Sequence, residues 1–193
     1  MTMGNLLTRL ILEIRYHRRP SWDTLVSPPE LVEFIRTHPP GRAIDLGCGT
    51  GTNVLALVQA GWQVSGIDFA WSAVRKAQTR LRTAGLSADL RVEDVTDLQV
   101  FSSPFDLTLD IGCYHQLNRG DREKYRTNLK RLITLGGTFL LYAHWGRNEV
   151  GHPLGIDEVD LEKFASFLRL VHRADGQERG NGPSVWLRYT KEI

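Results

Sequence analysis

Between Asp45 and Thr52 the chain reads Asp-Leu-Gly-Cys-Gly-Thr-Gly-Thr, with Gly47, Gly49 and Gly51 at alternate positions. Glycine reaches left-handed backbone at no steric cost and presents no side chain. Such a run therefore turns sharply and opens main-chain N–H groups to a ligand at the start of the next helix. The ligand class this implies is nucleotide-like. Two common phosphate loops do not fit, because a dinucleotide fingerprint needs a further glycine where Thr52 stands, and a P-loop needs a lysine after its last glycine. Asp68 follows Gly47 by 21 residues, the spacing at which an acid at the tip of a second strand accepts from ribose hydroxyls. The histidines form no HxxxH or HxH pair and Cys48 and Cys113 have no CxxC partner, so no metal and no redox dithiol are expected.

These residues need a scaffold, and the chain alternates accordingly. Short apolar runs at 43–46, 64–67, 89–92, 105–109, 138–142, 167–171 and 184–189 are separated by helical patterns at 53–60, 72–84, 121–135 and 157–165. Strand and helix in alternation mean βαβ crossovers and a sheet covered on both faces. Residues 174–183 read as a polar turn, so the last two runs form a hairpin. The expectation is an α/β fold: a doubly wound, mostly parallel seven-stranded sheet with an antiparallel C-terminal hairpin. In such sheets ligands sit beyond the carboxyl ends of the strands, where the glycine run, Asp68, the Glu93-Asp94 pair and residues 110–117 fall.

The segment AIDLGCGTGTN resembles motif I of the class I S-adenosylmethionine (SAM) dependent methyltransferases. Asp68-Phe69 and Asp94-Val95 then match the ribose and adenine positions of that family. Residues 105–117, FDLTLDIGCYHQL, resemble its motif IV, with Tyr114 and Gln116 in place of a Leu and a second His. By this resemblance the fold is Rossmann-like and SAM is the cofactor. Asp45, Gly47, Cys48, Gly49, Gly51, Asp68, Phe69, Asp94, Val95, Asp110 and Ile111 border it, and Tyr114 and His115 face the acceptor as candidate catalytic residues. His115 is either a general base or a packing residue. His144 and Trp145, after the fifth strand, are candidate substrate contacts, with His152 in the loop beyond. A Trp-Asp pair, Trp22-Asp23, before a Pro-Pro-Glu-Leu helix resembles the thiopurine, thiol and tellurite-type branch, which makes Trp22 a further substrate contact. Residues 1–40 form a helical lid or appendage, and residues 41–193 the SAM-binding methyltransferase domain.

The expected function is in-line methyl transfer to a small-molecule acceptor, in which holding the two reactants in line contributes on the order of 7 to 11 kcal/mol. The alternatives are an RNA or protein methyltransferase, and a SAM-binding protein without transferase activity. The 193 residues carry 24 Lys+Arg against 22 Asp+Glu, a net +2, without the basic excess of a nucleic-acid binder. Nothing approaches the ~18 apolar residues of a membrane span, so a cytoplasmic monomer or homodimer is expected. Leu6, Leu7, Leu10, Ile11 and Ile14 line one face of an opening helix, for which docking on the domain or on a second subunit ranks ahead of a membrane surface. Residues 119–131 hold six basic against two acidic residues and read as a solvated helix face.

Overall fold

The computed structural model describes residues 3–18, 20–146, 155–178 and 182–192. In chain order the elements are α1 (Met3–His17), α2 (Pro29–Thr37), β1 (Arg42–Leu46), α3 (Thr52–Gln59), β2 (Gln63–Asp68), α4 (Trp71–Thr83) and β3 (Asp89–Val92), then β4 (Phe105–Ile111), a 3-10 turn (Tyr114–Gln116), α5 (Arg119–Leu132), β5 (Ile133–His144), α6 (Glu158–Ala165), β6 (Arg169–Glu178) and β7 (Gly182–Thr190). The strands make a seven-stranded sheet of order β3-β2-β1-β4-β5-β7-β6. The pairs β1/β2, β2/β3 and β4/β5 are parallel, while β7 runs antiparallel to β5 and β6. This is the expected α/β architecture with its C-terminal hairpin. The chain divides into two compact units, residues 1–95 and 96–193.

In the first unit, β1 is buried almost throughout, the mark of a strand covered on both faces. Helices α3 and α4 pack on β1 to β3. Pro29 starts α2 with its φ already set for a helix, after Pro28 in extended backbone at the N-cap, and Pro39-Pro40 follows its end. Gly66 within β2 leaves room for Leu90, Val54 and Cys48, since a Cβ there would lie 2.7 Å from Leu90 Cδ2 and 3.0 Å from Val54 Cγ2.

In the second unit, α5 packs on β4 and β5, and α6 on β6. Asn118 caps α5 by accepting from the Asp121 N–H at 3.0 Å, and Asp157 with Asp160 forms a capping box at the start of α6. Two expectations change here. The helical pattern drawn to residue 135 stops at Leu132, because β-branched Ile133 and Thr134 open β5 instead and Gly136, at φ 77°, continues it by a hydrogen bond to the Lys191 carbonyl. The polar stretch after residue 174 is strand as well: Asp175 pairs with Val185 and Glu178 with Gly182. An edge strand needs no apolar alternation, and its charges keep other chains from adding on.

No helix among the described residues is long and apolar enough to cross a membrane. Nor do three His, Cys, Asp or Glu side chains among them converge as metal ligands.

Candidate functional site

The turn between β1 and α3 holds three glycines in left-handed backbone: Gly47 at φ 81°, Gly49 at 54° and Gly51 at 79°. The Gly47 and Cys48 N–H groups both donate to the Ile67 carbonyl, at 2.9 and 2.8 Å, and the Gly51 N–H donates back to Cys48 at 2.9 Å. A Cβ on Gly51 would stand 2.7 Å from that of Ala77, and one on Gly49 would stand 3.2 Å from the Tyr16 hydroxyl. The sequence here selects close approach by removing side chains. Asp45 lies buried within β1, and Cys48 fills the turn.

Asp68 ends β2 with its carboxylate 2.9 Å from the Gly49 N–H and 2.8 Å from the Ala70 N–H. Burial pushes its pKa up to about 6, against the pull of those two amides. Phe69, next in sequence, lies under the Arg9 guanidinium at 5.8 Å. Asp94 falls two residues beyond β3 and is half-buried, while Val95 is buried.

Several residues that brace this turn were not legible as site residues. Thr50 donates to Asp23 at 2.9 Å, which ties the Trp-Asp pair to the glycine turn. Arg80 of α4 donates to Thr52 at 2.5 Å and to Thr50 at 3.2 Å. Glu13 of α1 accepts from the Trp71 and Ser72 N–H groups at 2.6 and 3.1 Å, satisfying open donors at the start of α4. Burial opposes ionisation of Glu13, but these hydrogen bonds and the charge of Arg9 hold its carboxyl below the usual range. Lys76 binds the Tyr16 carbonyl. Trp22 is half exposed and edge-on to Tyr16, with ring centroids 6.3 Å apart.

In the second unit, Asp110 is fully buried and accepts from the Cys113 and Tyr114 N–H groups at 2.9 and 3.0 Å and from the Tyr125 hydroxyl at 2.8 Å. Burial pushes its pKa up to about 7. Ile111, at the end of β4, is half-buried. Tyr114 was expected at the acceptor, yet its side chain is fully buried. Its hydroxyl donates to Asp160 at 2.8 Å and accepts from Arg126 at 2.5 Å. Arg122 completes this buried group, donating to Asp160 at 2.6 Å and to the carbonyls of His115 and Gly155 at 2.9 and 2.8 Å. Sequence gave no sign of it beyond the capping-box spacing of Asp157 and Asp160, since Arg122 and Asp160 lie 38 residues apart.

His115 is buried and stacks on His144, with centroids 4.4 Å apart and planes at 17°. Its Nδ1 accepts the His144 backbone N–H at 3.2 Å, which leaves the proton of the neutral ring on Nε2. Burial pushes its pKa down to about 3, and His144 and Arg122 act in the same direction. Trp145 forms a bridge with Ile156 and lies under the Arg173 guanidinium at 4.3 Å. His152 lies outside the described residues.

A model of the methyltransferase domain family matches residues 43–137. An uncharacterized methyltransferase, C750.03c, of Schizosaccharomyces pombe is 30% identical over 102 residues, 53% of this chain and 70% of that protein. The chain belongs to the class I SAM-dependent methyltransferases. A probable thiol methyltransferase of Arabidopsis thaliana is 26% identical over 152 residues, covering 74% of this methyltransferase and 65% of the plant protein. In fold it is similar to the 1,6-didemethyltoxoflavin-N1-methyltransferase of Burkholderia thailandensis, at a TM-score of 0.81 and 18% identity, covering 98% and 89% of the two chains. SAM is thus the cofactor of the methyltransferase. The turn fits it, since its three left-handed glycines leave a cradle without side chains beside the Asp68 carboxylate.

Proposed function

We propose that this methyltransferase acts on a small molecule that brings its own free lone pair, a thiol or an amine, and that no side chain takes a proton from it. The observation that carries this reading is the state of His115. Its Nδ1 is engaged by the His144 amide, its Nε2 holds a proton, and its low pKa makes it a poor base. A neutral ring of this kind can donate from Nε2 and thereby orient an acceptor.

The size of the acceptor follows from the basic residues of α5. Arg122 and Arg126 bind Asp160 and Tyr114, and Arg131 binds the Leu98 and Phe101 carbonyls, so half of the six charges that would suit RNA are engaged inside the fold. The names of the thiol methyltransferase and of the didemethyltoxoflavin N-methyltransferase point to the same kind of acceptor.

When bound, SAM supplies an electrophilic sulfonium methyl, so the chain has chiefly to bind, orient and exclude water. The Gly47 to Gly51 turn gives backbone approach, with Asp45 and Cys48 filling in behind it. Asp68 accepts from the ribose hydroxyls, Asp94 from the adenine amino group, and Phe69 and Val95 flank the base. Ile111 borders the methionine portion, while Asp110 and Tyr114 are positioning residues that hold the loop after β4. Trp22 shields the reacting centre, and His144 and Trp145 border the acceptor. Residues 1–40 act as the lid of a SAM-binding domain spanning 41–193.

Transfer of labelled methyl from SAM to a panel of thiols, amines, phenols, RNA and protein tests this reading. Label is expected in a thiol or an amine. His115→Gln should slow turnover by about tenfold, as loss of an orienting hydrogen bond would, with an unchanged pH profile. Label in RNA or protein, or a pH break present in the wild type and absent in His115→Gln, would overturn it.

A further inference from the structure

Helix α1 has two faces with opposite fates. Its inner face is tied down: Leu12 and Tyr16 pack against Ala70 and Ala73, and Glu13 holds the first amides of α4. On the far side, Leu10, Ile11 and Ile14 are 57%, 44% and 59% exposed. Of the two dockings expected from the sequence, on the domain or on a second subunit, the exposure of these three residues removes the first. The side chains of Leu6 and Leu7 lie outside the described residues. Three aliphatic residues at helical spacing thus face outward from a helix already anchored through its other side.

The surroundings of the stripe indicate what covers it. Among residues 3–18, Glu13 is the sole acid, and it is engaged with the α4 amides. Arg15 and Arg18 are exposed. Two tryptophans flank the helix: Trp22, 48% exposed, lies under the Arg15 guanidinium at 5.3 Å, and Trp71, 53% exposed, carries one of the amides that Glu13 binds. Arg75 stacks on Trp71 at 5.2 Å. Aliphatic residues in a stripe with exposed arginines beside them match the chemistry of an interfacial helix, the cations meeting anionic lipid.

We propose that the outer face of α1 seats on an anionic membrane surface, so that this methyltransferase works at the surface of a bilayer. Charge favours lipid over a second copy of the chain. Two such faces in contact would bring Arg15 and Arg18 of both copies together with no free α1 carboxylate between them. The inference goes beyond methyl transfer and does not depend on the acceptor.

The test sediments the full chain with vesicles of phosphatidylcholine alone and of phosphatidylcholine with phosphatidylglycerol, at low and high salt. Partitioning should favour the anionic vesicles by about tenfold or more and should fall with salt. The exposed double variant Leu10→Glu/Ile14→Glu should keep the wild-type thermal midpoint while losing vesicle binding. Sedimentation with neither vesicle, or equal sedimentation of wild type and double variant, would overturn the proposal. So would a dimer seen by light scattering without lipid and abolished by the double variant, which would assign the face to a second copy.

Discussion

The two halves of the chain bring chemistry into place by different means. In residues 1–95 the work is done by backbone: left-handed glycines, strand-end carbonyls and a carboxylate bonded to two amides. In residues 96–193 it is done by buried side chains, with Arg122, Arg126, Asp160, Tyr114, Tyr125 and Asp110 joined by hydrogen bonds beneath His115. Backbone devices depend on residue types at short spacing and tolerate little change in size. Side-chain networks depend on partners far apart in sequence and fail when one partner is lost.

Substitutions on either side sharpen this contrast. The largest effect should come from Asp160→Ala, which leaves Arg122 buried without its counter-charge and removes the acceptor of the Tyr114 hydroxyl. Loss of one partner from a buried ion pair costs about 3 to 5 kcal/mol, readable as a lowered midpoint in chemical denaturation. Gly51→Ala comes next. Its Cβ would lie 2.7 Å from that of Ala77 on left-handed backbone, for a loss of about 1 to 3 kcal/mol together with weaker SAM binding. Smallest is Glu13→Gln, which keeps a hydrogen-bond acceptor at the start of α4 but removes the charge there. It should cost about 0.5 kcal/mol. Because the Glu13 carboxyl is held below its ordinary pKa, its contribution is present above the unfolded value and is lost as pH falls through the folded one. The wild type and Glu13→Gln should therefore converge in stability in acid. Equal losses at Asp160 and Glu13 would erase the distinction between a buried side-chain network and a single carboxylate bound to backbone amides.

The same contrast explains what was legible in the sequence. The glycine turn, Asp68 and the strand-helix alternation are local patterns, so the fold and a nucleotide-like ligand could be read directly, and the resemblance of the turn to motif I implied SAM. The bonds from Thr50 to Asp23 and from Arg122 to Asp160 join residues 27 and 38 apart, and no local spacing announces them. Tyr114 shows the hazard most clearly. A motif position implied a place at the acceptor, but the ring is enclosed by Tyr125 and Phe164, at centroid distances of 5.0 and 4.9 Å. On α1 the apolar periodicity was correct, but its stripe does not pack on the chain's own domain. Docking uses Leu12, Glu13 and Tyr16, and the aliphatic stripe faces away. Only the far half of the edge strand β6, beyond residue 174, escaped notice, because its polar and charged residues carry no apolar alternation.

The central claim is that the glycine turn and the Asp68 carboxylate hold SAM. Calorimetric titration with SAM across pH, for the wild type and Asp68→Asn, tests it most directly. Burial pushes the Asp68 carboxyl up to about 6 and its ionised form is the stronger acceptor, so on the proposed role wild-type affinity should rise as pH rises through about 6. Asp68→Asn should bind about tenfold more weakly, the size of one lost charge-assisted hydrogen bond, with that pH dependence removed. Equal affinity of the two proteins at neutral pH, or an unchanged pH dependence in the variant, would contradict the account.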